Sequence, residues 1–131
     1  MTVQKGGWDR FQEVGRHTGF TPSQYDADLT MDGTAQSVAL ATGATKLRIV
    51  NTGATTEDIR IVFGASASAA ETNLTMTTDG APEHATTGML IQPEADGVGT
   101  VVIGVPSDAT HYAVANAVAS DTQVVNITQG V

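Results

Sequence analysis

Three runs of strict alternation in residues 99–131 constrain the fold more than any other feature of this chain. Val101, Ile103 and Val105 alternate through the first run, Tyr112 and Val114 share one face of the second, and Val125 and Ile127 one face of the third. Successive side chains of a strand point to opposite faces, so β-branched residues at period two require half-buried strands. Pro106-Ser107-Asp108 and Ser120-Asp121 separate the runs. Pro fixes φ, and Ser or Asp caps a turn through its side chain.

The same pattern recurs upstream. Val38 and Leu40 fall on one face of 36–41, Leu47 and Ile49 on one face of 46–51, and Ile59, Ile61 and Phe63 on one face of 58–63. Residues 89–92 form a further short strand, followed by a Pro93-Glu-Ala-Asp-Gly turn. Asn51-Thr-Gly is a turn signal, so 46–51 and 58–63 are expected to pair as a hairpin. That hairpin gathers Lys46, Arg48 and Arg60 on one face, where cross-strand acids such as Glu57 and Asp58 meet them. Residues 64–88 are rich in Thr and small side chains and read as a long functional or mobile loop, with room for one short strand at 73–77. Seven or eight strands at roughly 10-residue spacing, with no helix long enough for a βαβ unit, predict an all-β protein. The architecture expected is an antiparallel β-sandwich, jelly-roll-like as first choice and immunoglobulin-like as second.

Residues 1–33 differ from the sandwich domain at 34–131 and read as an extended N-terminal arm. They hold Trp8, Phe11, Phe20 and Tyr25, four of the six aromatics of the chain. Trp8, Phe11 and Val14 have i, i+3 spacing, with Asp9 early, Arg16 late and Gly15 as a stop, which predicts a helix of about two turns. So short a helix is marginal in water and needs something to pack on. It serves either as a lid over its own sandwich or as an arm whose aromatic anchors enter a neighbouring subunit. The candidate partner-binding residues are Trp8, Arg10, Phe11, Val14, Arg16, Phe20 and Tyr25.

Composition narrows the function classes. At 131 residues the chain is one domain's worth, and its 40% hydrophobic content is carried by Ala and Val rather than by aromatics, at 5%. There is no cysteine, which suits a reducing compartment or an assembly whose neighbours supply stability. Residues 1–20 carry Lys5, Asp9, Arg10, Glu13 and Arg16 without the apolar core of a signal peptide. No apolar run approaches the ~20 residues of a membrane span, so no membrane association is expected. Net charge is −8, and all six Lys and Arg lie in the first 60 residues. Seven carboxylates follow from Ile61 onward, and so acidic a surface repels phosphate backbones and argues against nucleic-acid binding. The sequons at Asn73 and Asn126 read as accidents of a Thr-rich chain.

The chain carries no recognisable catalytic or metal-binding motif. An EF-hand loop begun at Asp26 places Thr30, Met31 and Ser37 at its fifth, sixth and twelfth positions, where the pattern fails. Asp26, Asp28 and Asp32 therefore read as a solvated acidic turn. His17, His84 and His111 lie in no metal-ligand spacing. Ser107, Asp108 and His111 are close in sequence, but Ser-Asp there is turn chemistry. Glu94 and Asp96 lack the separate strands and aromatic platforms of a glycosidase pair. The expectation is a non-enzymatic protein with no cofactor, no metal and no small-molecule substrate.

The ending of the chain resembles that of small tailed-phage virion proteins of the decoration (cement) or head-fibre kind. The residues that carry the likeness are Val105-Pro-Ser-Asp-Ala-Thr, Tyr112-Ala-Val-Ala-Asn-Ala-Val-Ala and Val124-Val-Asn-Ile-Thr-Gln-Gly. The resemblance implies a virion structural protein, made in the host cytoplasm, that sits on the capsid exterior as a homo-oligomer, often a homotrimer. Its partner is then the major capsid protein, met through the aromatic arm and one sandwich end. A carbohydrate-binding β-sandwich module is the alternative, with Trp8, Tyr25 or the 64–88 loop meeting sugar.

Overall fold

The computed structural model describes residues 19–31, 33–51, 58–77, 83–92, 100–118 and 123–131, with the backbone alone at 23–26 and 123. In chain order the strands and helix are β1 (Pro22–Met31), β2 (Gln36–Ala39), β3 (Lys46–Val50), β4 (Ile59–Gly64) and α1 (Ala67–Asn73). There follow β5 (Met76–Thr77), β6 (His84–Ala85), β7 (Met89–Ile91), β8 (Thr100–Gly104), β9 (His111–Asn116) and β10 (Gln123–Gly130). Two four-stranded antiparallel sheets face each other as a sandwich. The first has the order β1-β10-β3-β8 and the second β2-β9-β4-β7.

The pairings nest. β1 pairs with β10, β2 with β9, β3 with β8, β4 with β7 and β5 with β6. The chain therefore runs as one long hairpin, and rolling it up adds the β10–β3 and β9–β4 ladders. Alternation decides what faces inward. Leu47 pairs with Ile103, and Ile49 lies between Ile127 and Val101. In the opposite sheet Ile61 pairs with Val114, and Phe63 with Tyr112. Met31, Leu47, Ile49, Ile59, Ile61, Ile91, Tyr112, Val114, Val125 and Ile127 form the buried core, and Val38, Leu40, Phe63, Val101, Ile103 and Val105 pack against it.

This topology bears on four readings of the sequence. The three runs of residues 99–131 are strands, as expected, and no two of them pair: β8 and β10 flank β3, while β9 lies in the other sheet. The strands at 46–50 and 59–64 form no hairpin, because the connection between them crosses from one sheet to the other. Lys46 and Arg48 consequently stand on the outer face of the first sheet and Arg60 on that of the second. The stretch assigned to the arm at 22–31 is a full strand of the sandwich, paired with β10 from Pro22↔Gly130 to Met31↔Gln123. Asp28 is thus a strand residue, and its carboxylate accepts from Asn126 Nδ2 at 2.8 Å.

The fourth reading concerns 64–88. It contains α1 and the β5–β6 pair, which cover the outer face of the second sheet rather than forming a loop. Ser66 caps the helix, its hydroxyl accepting from Ala69 N at 3.1 Å. Ala70, Leu74 and Ala85 pack on Ala113 and Ala115, the outward residues of β9, as a second small core. The helix sits so close that a Cβ on Gly64 would meet the Ala70 backbone N and fall 2.7 Å from its Cα. The small side chains of the segment are what this close approach demands. β9 is accordingly buried on both faces, which explains its nearly unbroken apolar run.

Candidate functional site

Residues 19–21 are fixed on the outer face of the first sheet. Thr21 N donates to Val131 O at 2.8 Å and Val131 N to Thr21 O at 3.0 Å, extending the β1–β10 ladder by one step. Phe20 then lies over Gly130, where a Cβ would come within 2.7 Å of two carbons of its ring. The Arg48 guanidinium stands 5.7 Å from the same ring's centroid, a cation–π contact. Lys46 Nζ donates to Gly19 O at 2.6 Å. Three consecutive residues, 19–21, are therefore held by β10 and β3 through a ladder pair, a ring contact and a charge-assisted bond.

Of the seven residues expected to bind a partner, Phe20 is placed here, against its own sheet. Tyr25 lies on β1, in the stretch between Pro22 and Asp26 where the register shifts. Its side chain, the whole of Trp8, Arg10, Phe11, Val14 and Arg16, and the helix expected around them lie outside the described residues. Sequence pattern alone does not separate Phe20 from Trp8 and Phe11. The signal that does is Gly130 at a position where an alternating strand would otherwise carry a side chain.

A second candidate lies at one end of the sandwich. The loops at 40–45 and 105–110 border an open groove of about 480 Å³ lined by Leu40, Thr42, Thr45, Val105, Ser107 and Thr110 among others. Beyond Pro106 and Ala109 a hollow of about 280 Å³ continues to Phe63, Asn73 and Asp108. The loops are tied to one another: Leu40 N donates to Thr110 O at 2.8 Å, Thr110 N to Gly64 O at 2.9 Å and Val105 N to Thr45 O at 2.9 Å. This hydroxyl-lined groove went unnoticed in the sequence because its walls are 65 residues apart and carry no motif.

The polar groups around the groove are largely engaged. Thr110 Oγ1 lies 2.9 Å from His111 Nδ1, which removes that nitrogen from any Ser107–Asp108–His111 relay. Asn73 Nδ2 donates to Phe63 O at 2.9 Å, and both sequon asparagines thus spend their amides on the fold. Among the described residues no group of three or more His, Asp or Glu is placed to hold a metal ion. Glu94, Asp96, Asp32 and His17 lie outside them. None of the described helices is long and apolar enough to cross a membrane.

No protein-family model matches the chain, and no curated protein or solved structure is significantly similar to it.

Proposed function

We propose that this chain is a virion structural protein that binds the outside of a phage capsid shell, with a jelly-roll-like sandwich as its body and residues 1–18 as its docking segment. The observation that carries the reading is the clamp on residues 19–21. A segment with its root fastened to Lys46, Arg48 and Gly130 presents whatever precedes it at a defined place on the sandwich. Trp8 and Phe11 lie in that preceding segment, and aromatic anchors of this kind dominate interface energies. The jelly-roll part is supported by the nested pairing of the eight strands of the two large sheets, which is the connectivity that two Greek keys give when a long hairpin is rolled into two sheets. The resemblance of the chain's ending to decoration proteins supports the capsid part.

The test uses tailed-phage shells assembled from a major capsid protein, pelleted with the full chain and with a Trp8→Ala/Phe11→Ala variant. The expected result is co-sedimentation of the full chain and its loss in the variant, with the melting temperature unchanged. Equal pelleting of both removes the arm from the reading. Saturable binding to a glycan array, abolished by Trp8→Ala, replaces the capsid reading with a carbohydrate one.

A further inference from the structure

Four strands form the edges of the two four-stranded sheets, and three of them are guarded. β1 starts at Pro22, shifts register before Asp26 and carries Asp28. β2 has four residues and is tied to α1 through Ser37 Oγ, which donates to Glu71 Oε2 at 2.6 Å. β7 has three residues and follows Gly88 at φ 102°. Such devices are how proteins stop open edges from pairing with other chains. β8, Thr100-Val-Val-Ile-Gly104, has none of them: it contains no charge and no proline, and it pairs on one side with β3.

The direction of its free groups follows from the ladder. Val105 N donates to Thr45 O, so Val101, Ile103 and Val105 turn their backbone groups toward β3. Thr100, Val102 and Gly104 turn theirs outward, and no hydrogen bond to these outward groups is present among the described residues. Their spacing is self-complementary. A twofold axis at Val102 sets Thr100 opposite Gly104 of a second copy and Val102 opposite Val102, so every outward N–H and C=O meets an outward partner. Three such pairs exchange six backbone hydrogen bonds.

We propose that β8 pairs antiparallel with β8 of a second copy of this chain, joining two first sheets into one continuous eight-stranded sheet. Charge selects this occupant. The chain carries −8 overall, so two copies repel unless they meet where neither is charged, and residues 97–105 hold no ionisable side chain. The nearest cation, Arg48, faces Val102 across the ladder. It lies three strand spacings, about 14 Å, from its equivalent across the seam. That exceeds the Debye length of about 8 Å at physiological ionic strength. Half-buried Val102 would cover its own equivalent, and Gly104 leaves room for Thr100, since a Cβ at Gly104 meets nothing within 4 Å. The proposal stands apart from the capsid reading and replaces the trimer that the resemblance implies with a dimer.

A five-residue seam is small, so the test reads mass by light scattering across a dilution series of the full chain. Twice the chain mass at high concentration, falling to a monomer on dilution, is expected. Val102→Lys opposes two ammonium groups across the axis, and Thr100→Pro removes an outward N–H at the first residue of the strand, where the β3 ladder is untouched. Both variants should lose the dimer at concentrations where the parent chain keeps it, with unchanged far-ultraviolet circular dichroism. A parent chain that is monomeric throughout, or a trimer, overturns the proposal. So does a dimer that survives both substitutions.

Discussion

Gln129 Nε2 donates to the Ala39 carbonyl at 2.9 Å, a side-chain bond from β10 of the first sheet to β2 of the second. The same amide accepts from Ala41 N at 2.6 Å. Gln129 is fully buried on a strand whose other inward residues are Val125 and Ile127. An isolated amide there would cost stability, whereas this one satisfies two backbone groups just past the end of β2.

Replacing Gln129 with Leu removes the side-chain partner of both backbone groups, at exposed Ala39 and half-buried Ala41. Unfolding free energy should fall by about 1–3 kcal/mol, since each lost hydrogen bond contributes roughly 0.5–1.5 where the freed group can still reach water. Urea denaturation checks this: the midpoint drops while the slope stays the same.

Two glycines should respond differently to the same methyl group. At Gly64 a Cβ collides with the backbone of α1, which must lift off the second sheet, a loss of about 1–3 kcal/mol. At Gly104 it meets open space, and the change should stay within about 0.5 kcal/mol. Thermal melts of Gly64→Ala and Gly104→Ala separate the two.

Gly130→Ala should release the arm's root without opening the sandwich. The new Cβ displaces the Phe20 ring and the Thr21 carbonyl together. Amide exchange should accelerate at Thr21 and Val131, which bond each other, and remain slow at Leu47 and Ile127 in the core.

The sandwich was legible in the sequence wherever one face of a strand is buried and the other is not. Leu47 and Ile49 against Lys46 and Arg48 is such a case, and its inward residues lie in the core as expected. Which strands pair was not legible, because alternation specifies faces and not neighbours. Asn51-Thr-Gly suggested a local hairpin, yet β3 pairs with strands more than fifty residues away. The nested order is set by packing over the whole chain. Helix α1 was missed for a different reason. Its stretch is poor in large apolar residues, since it must sit close to Ala113 and Ala115, so no 3.6-residue stripe marks it. Ser66 before an Ala-rich run was the available sign.

The boundary of the expected arm was set too late, because the acids at 26, 28 and 32 suggested a turn where β1 runs from Pro22 to Met31. β1 tolerates Asp28 because the carboxylate points outward to Asn126. The placement of Phe20 followed from Gly130, a residue 110 positions downstream, which no local pattern connects to it.

The most direct measurement is a titration of the full chain onto purified capsid shells, with the bound protein quantified after sedimentation. Saturation at a fixed number of copies per capsid-protein subunit is the predicted result. Absence of the chain from the pellet, or bound protein that rises with concentration and never saturates, would contradict the capsid-binding role.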